Sequence, residues 1–311
     1  MDIGLLVPVP GMNPELSTLL SEIECADDAG FASGWMPNIR GFDALTVLAL
    51  AGPRTRSIEL GTAVVPTYPR HPAALAQQAL TVQVATGGRL ALGIGLSHRV
   101  TMEQGLGFDW SHPIRHMREY LTCLRGLLAG EAVQFEGEEF HLASYRLEVP
   151  GASPPPILVA ALGPQMLKLA GRLADGTITW VGGPRYLSQT AVPLIGSGAR
   201  DHDRPAPRIV AGLPVCVTDD AEAARAFAAR FFRRYGELPS YRAVLDREGA
   251  EGPADVALVG DEEAVTGALR ELAEAGATDL IAAVFSPPGE ESQRTYRLLA
   301  SARDLTTNPI A

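Results

Sequence analysis

IELGTAVVPTYPRHPAALAQQALTVQVATGGRLALGIG, residues 58–95, decides the fold. Its first eight residues (58–65) are mostly apolar and rich in β-branched side chains, too short for a helix and right for a strand. Three prolines follow within seven residues, Pro66, Pro69 and Pro72, so the chain cannot continue a regular ladder. From Pro72, favoured in a first helical turn, to Thr86 the spacing is helical, and Gly87–Gly88 stops it. RLALGIG (89–95) is a second strand, apolar enough to be covered on both faces. Strand, helix and parallel strand make one βαβ unit with a right-handed crossover.

The same unit recurs on either side. Strands are expected at 3–8, 33–37, 58–65, 89–95, 156–161, 176–181, 208–217 and 279–285. Helices are expected at 14–29, 43–52, 72–86, 113–129, 164–173, from Pro184, at 219–235, 261–275 and 290–304. Two segments break the rhythm. Residues 132–149 alternate with period two about Glu136–Gly137 and read as a β-hairpin inserted between units. Residues 236–260 read as an irregular or partly helical insertion toward the C-terminus. Eight strand–helix units predict an α/β chain folded as one (β/α)8 TIM barrel over residues 1–311, with both insertions outside its cylinder. The alternative is an open doubly wound sheet. It is disfavoured because VPVPGMNPE after the first strand holds no GxGxxG, and GIGLSH after the fourth lacks the third glycine.

Composition narrows the function. The net charge of −10 argues against a general nucleic-acid role, which needs a basic footprint. No apolar run is long enough to span a bilayer, and MDIGLLVPVPG lacks the basic start of a signal peptide, so a soluble cytoplasmic enzyme acting on a small molecule is expected. Cys25, Cys123 and Cys216 have no CxxC or metal-ligand spacing and read as small buried hydrophobes. No metal site is expected. Lys168, the only lysine, lies mid-helix, a poor place for Schiff-base chemistry.

TIM-barrel active sites form at the C-terminal ends of the strands. That rule selects the strand-end loops, which carry Asn38, Arg40, Tyr68, Arg70, His71, Ser97, His98 and Arg99. His98 and His71 each follow a strand end and are candidates for proton handling and substrate contact. Tyr68 and Trp180 are the aromatic candidates for substrate binding. Ser97 and His98 are adjacent, which gives no hydrolase dyad, and no GxSxG elbow is present. Gly163–Pro164 at a helix start offers backbone N–H groups to a phosphate.

LGTAVVPTYPRHPAALAQQALTVQVATGGRLALGIGLS, DDAGFASGWMPN, REYLTCLRGLLAG with VQFEGEEFHL, and PILVAALGPQMLKLAGRLADGTITW together resemble luciferase-like oxidoreductases, over residues 1–300. The likeness is nearest to the deazaflavin-dependent branch, with its sugar-phosphate dehydrogenases and methylene-tetrahydromethanopterin reductases. It implies a non-prolyl cis peptide at Ala63–Val64 behind the cofactor ring. It further implies that Gly95 and Ser97 lie at the cofactor, and that Ala160, Ala161, Leu162 and Gly163 run along its side chain and phosphate. Coenzyme F420 is the implied cofactor and FMN the alternative; relatives often form homodimers. Three departures matter. Many relatives carry Asp–His at the end of strand two, where this chain has Pro37–Asn38. The sugar-phosphate enzymes have a Glu where this chain has His98, and a Lys where it has Val181–Gly182–Gly183. Sugar-phosphate oxidation is therefore not expected. His98 and Asn38 stand as the catalytic candidates, for hydride transfer to or from an organic substrate. The alternatives are an FMN-dependent monooxygenase and a cofactor-binding barrel without catalysis.

Overall fold

The computed structural model describes residues 1–302, with the exception of Pro10, Asn13 and Glu291. Its strands are β1 (Asp2–Leu6), β2 (Ser33–Met36), β3 (Glu59–Thr62, resuming at Val65–Pro66), β4 (Leu90–Gly95), β5 (Ile157–Ala160), β6 (Gly176–Trp180), β7 (Arg208–Val217) and β8 (Asp279–Val284). Each pairs in parallel with the next in chain order, and β8 pairs with β1, so the ring closes at eight. Helices α1 (Leu16–Asp28), α2 (Ala44–Ala51), α3 (Pro72–Ala85), α4 (Pro113–Leu128) and α5 (Pro164–Leu173) follow the first five strands. The pattern that made the strands apolar on both faces is thereby explained: one face meets the helices, the other the barrel interior.

Inside the ring, Trp35 is fully buried. It fits because its neighbours are glycines: a Cβ on Gly61 would stand 2.2 Å from the indole, and one on Gly4 would stand 3.0 Å from its Nε1. The indole N–H donates to Ser33 Oγ at 2.7 Å. At the N-terminal ends of the strands, Arg208 pairs with Glu59 at 2.8 Å and Asp279 at 2.5 Å, its guanidinium 6.0 Å from the Trp35 ring centroid. Trp35 and these ion pairs plug the barrel interior, and the N-terminal end keeps a polar cavity of about 180 Å³ lined by Asp2, Ala32, Ser33, Glu59, Arg208 and Asp279.

The hairpin, Val133–Glu136 with His141–Tyr145, forms a separate antiparallel pair. Glu119 of α4 clasps its turn, accepting the N–H groups of Glu138, Glu139 and Phe140 at 3.3, 2.8 and 3.3 Å.

Several elements differ from the sequence expectation. The strand expected at 58–65 is broken at Ala63–Val64, where the peptide is cis as the family resemblance implies. The helix expected over 219–235 stops at Phe231, and Arg233–Glu237 begins a new one, because Phe232 leaves helical geometry (φ −97°, ψ 8°). The insertion 236–260 holds the helix Pro239–Glu248 and a short strand, Leu258–Gly260, parallel to the end of β7. The last helix is Gln293–Ser301; residues 303 and 304 of its expected range lie outside the described residues. Cys25 is exposed rather than buried, since α1 turns Leu19, Leu20, Ile23 and Ala26 inward and Cys25 falls off that stripe.

Removing Arg208 strands Asp279, whose side chain is only 4% exposed. Arg208→Leu should destabilise the protein by roughly 3–5 kcal/mol. Urea unfolding should show Arg208→Leu/Asp279→Leu to be more stable than the single variant; a double variant as weak as the single one would show that packing, not the stranded charge, governs this end.

Candidate active site

The ends of β3, β4 and β5 converge. After the cis peptide, Val65 and Pro66 pair with Ile94 and Gly95 of β4. A Cβ on Gly95 would stand 2.7 Å from Val64 Cγ2 and 3.0 Å from Ala160 Cβ, so glycine is what lets these three strand ends meet. Ala63 and Val64 are half-buried against the interior cluster that holds Trp35 and Ile178. Ala63, Gly95 and Ala160 thus make a floor of small groups at the barrel mouth, edged by Val64. Ala161 is different: its side chain is fully buried in the layer between strands and helices. The Leu162 carbonyl accepts the Tyr186 hydroxyl at 2.8 Å, and exposed Gly163 precedes Pro164 at the start of α5.

An aromatic wall rises above this floor. Trp180, at the end of β6, meets Tyr235 edge-on at 5.4 Å; Tyr235 meets Tyr241 at 5.4 Å; Tyr241 meets His98, after β4, at 5.5 Å. The two tyrosines come from the helices Arg233–Glu237 and Pro239–Glu248. Glu248 anchors this covering segment, its carboxylate accepting the N–H groups of Tyr186 at 2.6 Å and Arg185 at 3.2 Å. Two non-glycine residues beside the wall lie in the left-handed region, Ser97 (φ 65°) and Val181 (φ 53°). For β-branched Val181 that conformation is strained, at about 1–3 kcal/mol. Strain therefore flanks both His98 and Trp180.

The electrostatics follow from burial. Burial, and then the nearby Arg234 charge, pull the His98 pKa below its ordinary value of 6.5, so the imidazole is neutral at neutral pH. The Trp180 indole N–H is buried with no hydrogen-bond partner. Among the described residues, no group of three or more His, Cys, Asp or Glu could hold a metal ion. No described helix is long and apolar enough to cross a membrane.

The remaining predicted residues have partners outside this floor and wall. Tyr68 is stacked between His116 (4.0 Å) and Trp110 (4.9 Å), its hydroxyl buried and unpartnered; burial, then Glu139 and Asp109, push its pKa up to about 12. His71 is exposed, caps α3 by accepting the Ala73 N–H at 3.2 Å, and meets Phe140 edge-on. Tyr68 and His71 thus belong to a cluster with α4 and the hairpin. The Asn38 side-chain oxygen accepts the Ala44 N–H at 2.9 Å, at the start of α2. Arg70, Arg99 and Arg115 are paired with Asp43, Glu103 and Glu138–Glu139 respectively.

Sequence reasoning missed Tyr235, Tyr241 and His116. For the tyrosines the signal was FFRRYGELPSY (231–241), aromatic-rich where the expected helix 219–235 passes into the insertion 236–260. For His116 it was a place on the buried face of α4, one turn before Tyr120.

The chain belongs to the luciferase-like monooxygenase family, whose model matches residues 3–279. It is an oxidoreductase of that family by the company it keeps. It is 30% identical over 313 residues to the 5,10-methylenetetrahydromethanopterin reductase of Archaeoglobus fulgidus, an alignment covering 89% of this chain and 92% of that one. The coenzyme F420 dependent tetrahydromethanopterin reductase of Methanopyrus kandleri shares its fold, with a TM-score of 0.81, 23% identity and 97% of each chain covered. So does the oxygenating constituent of 3,6-diketocamphane monooxygenase from Pseudomonas putida, solved in complex with FMN, with a TM-score of 0.75, 18% identity and 98% of each chain covered.

His116 yields a prediction about stability. It is 5% exposed, with Nε2 3.0 Å from Thr67 Oγ1. Burial lowers its pKa from 6.5 to about 4, against a small opposing pull from Glu119. Between those values the unfolded chain binds the proton more readily, so the neutral imidazole's contribution is whole above about pH 6.5 and is lost as pH falls toward about 4. His116→Gln should flatten stability across that window, where the parent protein loses up to about 3 kcal/mol. Parallel pH–stability curves for the two proteins would refute this.

Proposed function

We propose that the protein is a coenzyme F420-dependent oxidoreductase, moving a hydride between the deazaflavin and a small organic substrate and reducing an activated C=C or C=N bond. The observation that carries the reading is the floor of small groups at the ends of β3, β4 and β5. A planar tricyclic ring needs a flat, close backbone surface, and Ala63, Val64, Gly95 and Ala160 offer one. Ser97 stands at its rim. Leu162, Gly163 and the start of α5 would hold the coenzyme's side chain and phosphate, with Ala161 contributing backbone alone. The reductases of Archaeoglobus fulgidus and Methanopyrus kandleri support the choice of coenzyme.

When bound, the deazaflavin supplies the two-electron chemistry. The chain's own residues supply the setting. The aromatic wall from Trp180 to His98 and the segment 233–248 above it exclude water. His98, neutral at neutral pH, accepts a proton in the oxidative direction, or donates from its protonated fraction in the reductive one. Asn38, with its oxygen committed to α2, brings only its amide nitrogen. Tyr68 and His71 would reach the substrate from the α4 side.

A second reading, an FMN-dependent monooxygenase, is favoured by the FMN-bound structure of similar fold. Titration of the protein with each cofactor, followed by fluorescence, separates the two. The deazaflavin should bind more tightly than FMN, and turnover should proceed without oxygen uptake. Equal or tighter FMN binding together with oxygen uptake would establish the monooxygenase, and binding without any turnover a non-catalytic barrel. His98→Gln should lower kcat by about 100- to 10,000-fold at nearly unchanged coenzyme affinity. It should also remove the inflection that the parent pH profile shows below about pH 6.5.

A further inference from the structure

Trp180 carries a group that the barrel itself does not use. An indole N–H can only donate, and a donor buried without an acceptor is costly to the folded chain. Trp180 sits inside the upper barrel, where a Cβ on Gly212 would stand 2.8 Å from its ring. Its nitrogen finds no protein partner there, whereas the fully buried Trp35 has Ser33 placed 2.7 Å away for that purpose. The chain therefore places an acceptor where an indole is structural and none where an indole stands at the mouth.

The surroundings say what would bring the acceptor. Tyr235 lies edge-on to Trp180 at 5.4 Å, and Tyr241 continues the wall to His98. Aromatic walls of this kind favour a flat, largely apolar body, which gains area burial and ring contacts together.

We propose that Trp180, Tyr235 and Tyr241 form the substrate-recognition site, taking a planar substrate that bears a hydrogen-bond acceptor, and that the Trp180 indole N–H donates to that acceptor. This rests on the hydride-transfer reading, which requires the substrate to stand beside the floor of Ala63, Gly95 and Ala160. A carbonyl or imine on a flat conjugated frame answers the description. It is also the kind of group whose conjugation activates a neighbouring double bond. Trp180 and the tyrosines set which substrate binds and how it lies; His98, at the far end of the wall, handles the proton.

The test uses the full chain and two probes of matched shape, 2-acetylnaphthalene and 2-ethylnaphthalene, with and without the deazaflavin. The ketone should bind more tightly than the hydrocarbon. Trp180→Phe keeps the aromatic body and removes the donor. It should weaken the ketone by about 5- to 30-fold while leaving the hydrocarbon and the deazaflavin within about twofold of the parent. Tyr235→Leu and Tyr241→Leu should weaken both naphthalenes alike. With the indoles labelled with nitrogen-15, the parent protein gives a reading that needs no variant. The ketone should shift the Trp180 N–H resonance downfield, and the hydrocarbon should not. An unchanged ketone-to-hydrocarbon ratio in Trp180→Phe, or an unmoved indole resonance, overturns the proposal. So does a loss of deazaflavin affinity in that variant, since the N–H would then serve the coenzyme. Failure of the deazaflavin to bind the parent protein overturns the hydride-transfer reading instead, and the naphthalene series without coenzyme remains readable.

Discussion

Trp35 fixes the scale of the barrel. An indole wholly inside a ring of eight strands must be matched by absences, and Gly4 on β1 and Gly61 on β3, the two strands that flank β2, supply them. Trp35 lies opposite Gly61 in the β2–β3 pairing, so a slip of one residue would drive a side chain into the ring. Register is thus set by volume as well as by the apolar pattern. Because Trp35 and the Arg208 ion pairs occupy the lower half, later interior layers can be made of small residues. Gly212 leaves room at the top for Trp180, and Gly95 with Ala160 keeps the floor beside it low.

The acidic balance of the chain also has a structural use. Three carboxylates hold distant segments by accepting runs of backbone N–H groups. Asp27 takes those of Arg56, Ser57 and Ile58, leading α1's end into β3. Burial alone would raise its pKa; these bonds, with the Ser57 hydroxyl, bring it down to about 2. Glu119 holds the hairpin and Glu248 the segment over the mouth in the same way. An anion accepting N–H bonds is among the stronger contacts a chain can make to its own backbone. The hairpin and the mouth segment are thereby pinned from the elements they touch, while the barrel pattern runs on between them.

The barrel was legible because its signal is local. Each strand announced itself by four to ten apolar residues and each helix by its spacing, as in Pro164–Leu173 and Arg208–Val217, whose bounds the sequence reading and the structure share. The strand-end rule then places Ala63, Gly95, His98 and Trp180 at the mouth. What stayed hidden depends on contacts between distant residues. Tyr235 and Tyr241 belong to a segment with no barrel role, and only tertiary packing carries them over β4 to β6. His116 reads as an ordinary helical residue until Thr67 and Tyr68 are seen against it. Phe232 breaks a helix that its composition favours, because turning its ring toward Trp180 and Phe285 outweighs propensity.

The charges at the mouth constrain what can be held there. An anionic ligand approaching a chain of net charge −10 needs local cations, and the nearest arginines of the β3 and β4 loops are already neutralised by Asp43, Glu103 and the hairpin glutamates. Among the described residues, no ion pair engages Arg40, Arg185 or Arg234. Arg185 stands where β6 hands over to its helix, and Arg234 is close enough to His98 to depress its pKa. The cations left unpaired at this mouth thus lie on the β6 side and the covering segment, not beside α3 and α4. The aromatic wall from Trp180 to His98 adds no charge of its own at neutral pH. In that dry setting, a single directed donor such as the Trp180 N–H discriminates most sharply between a ligand that can accept it and one that cannot.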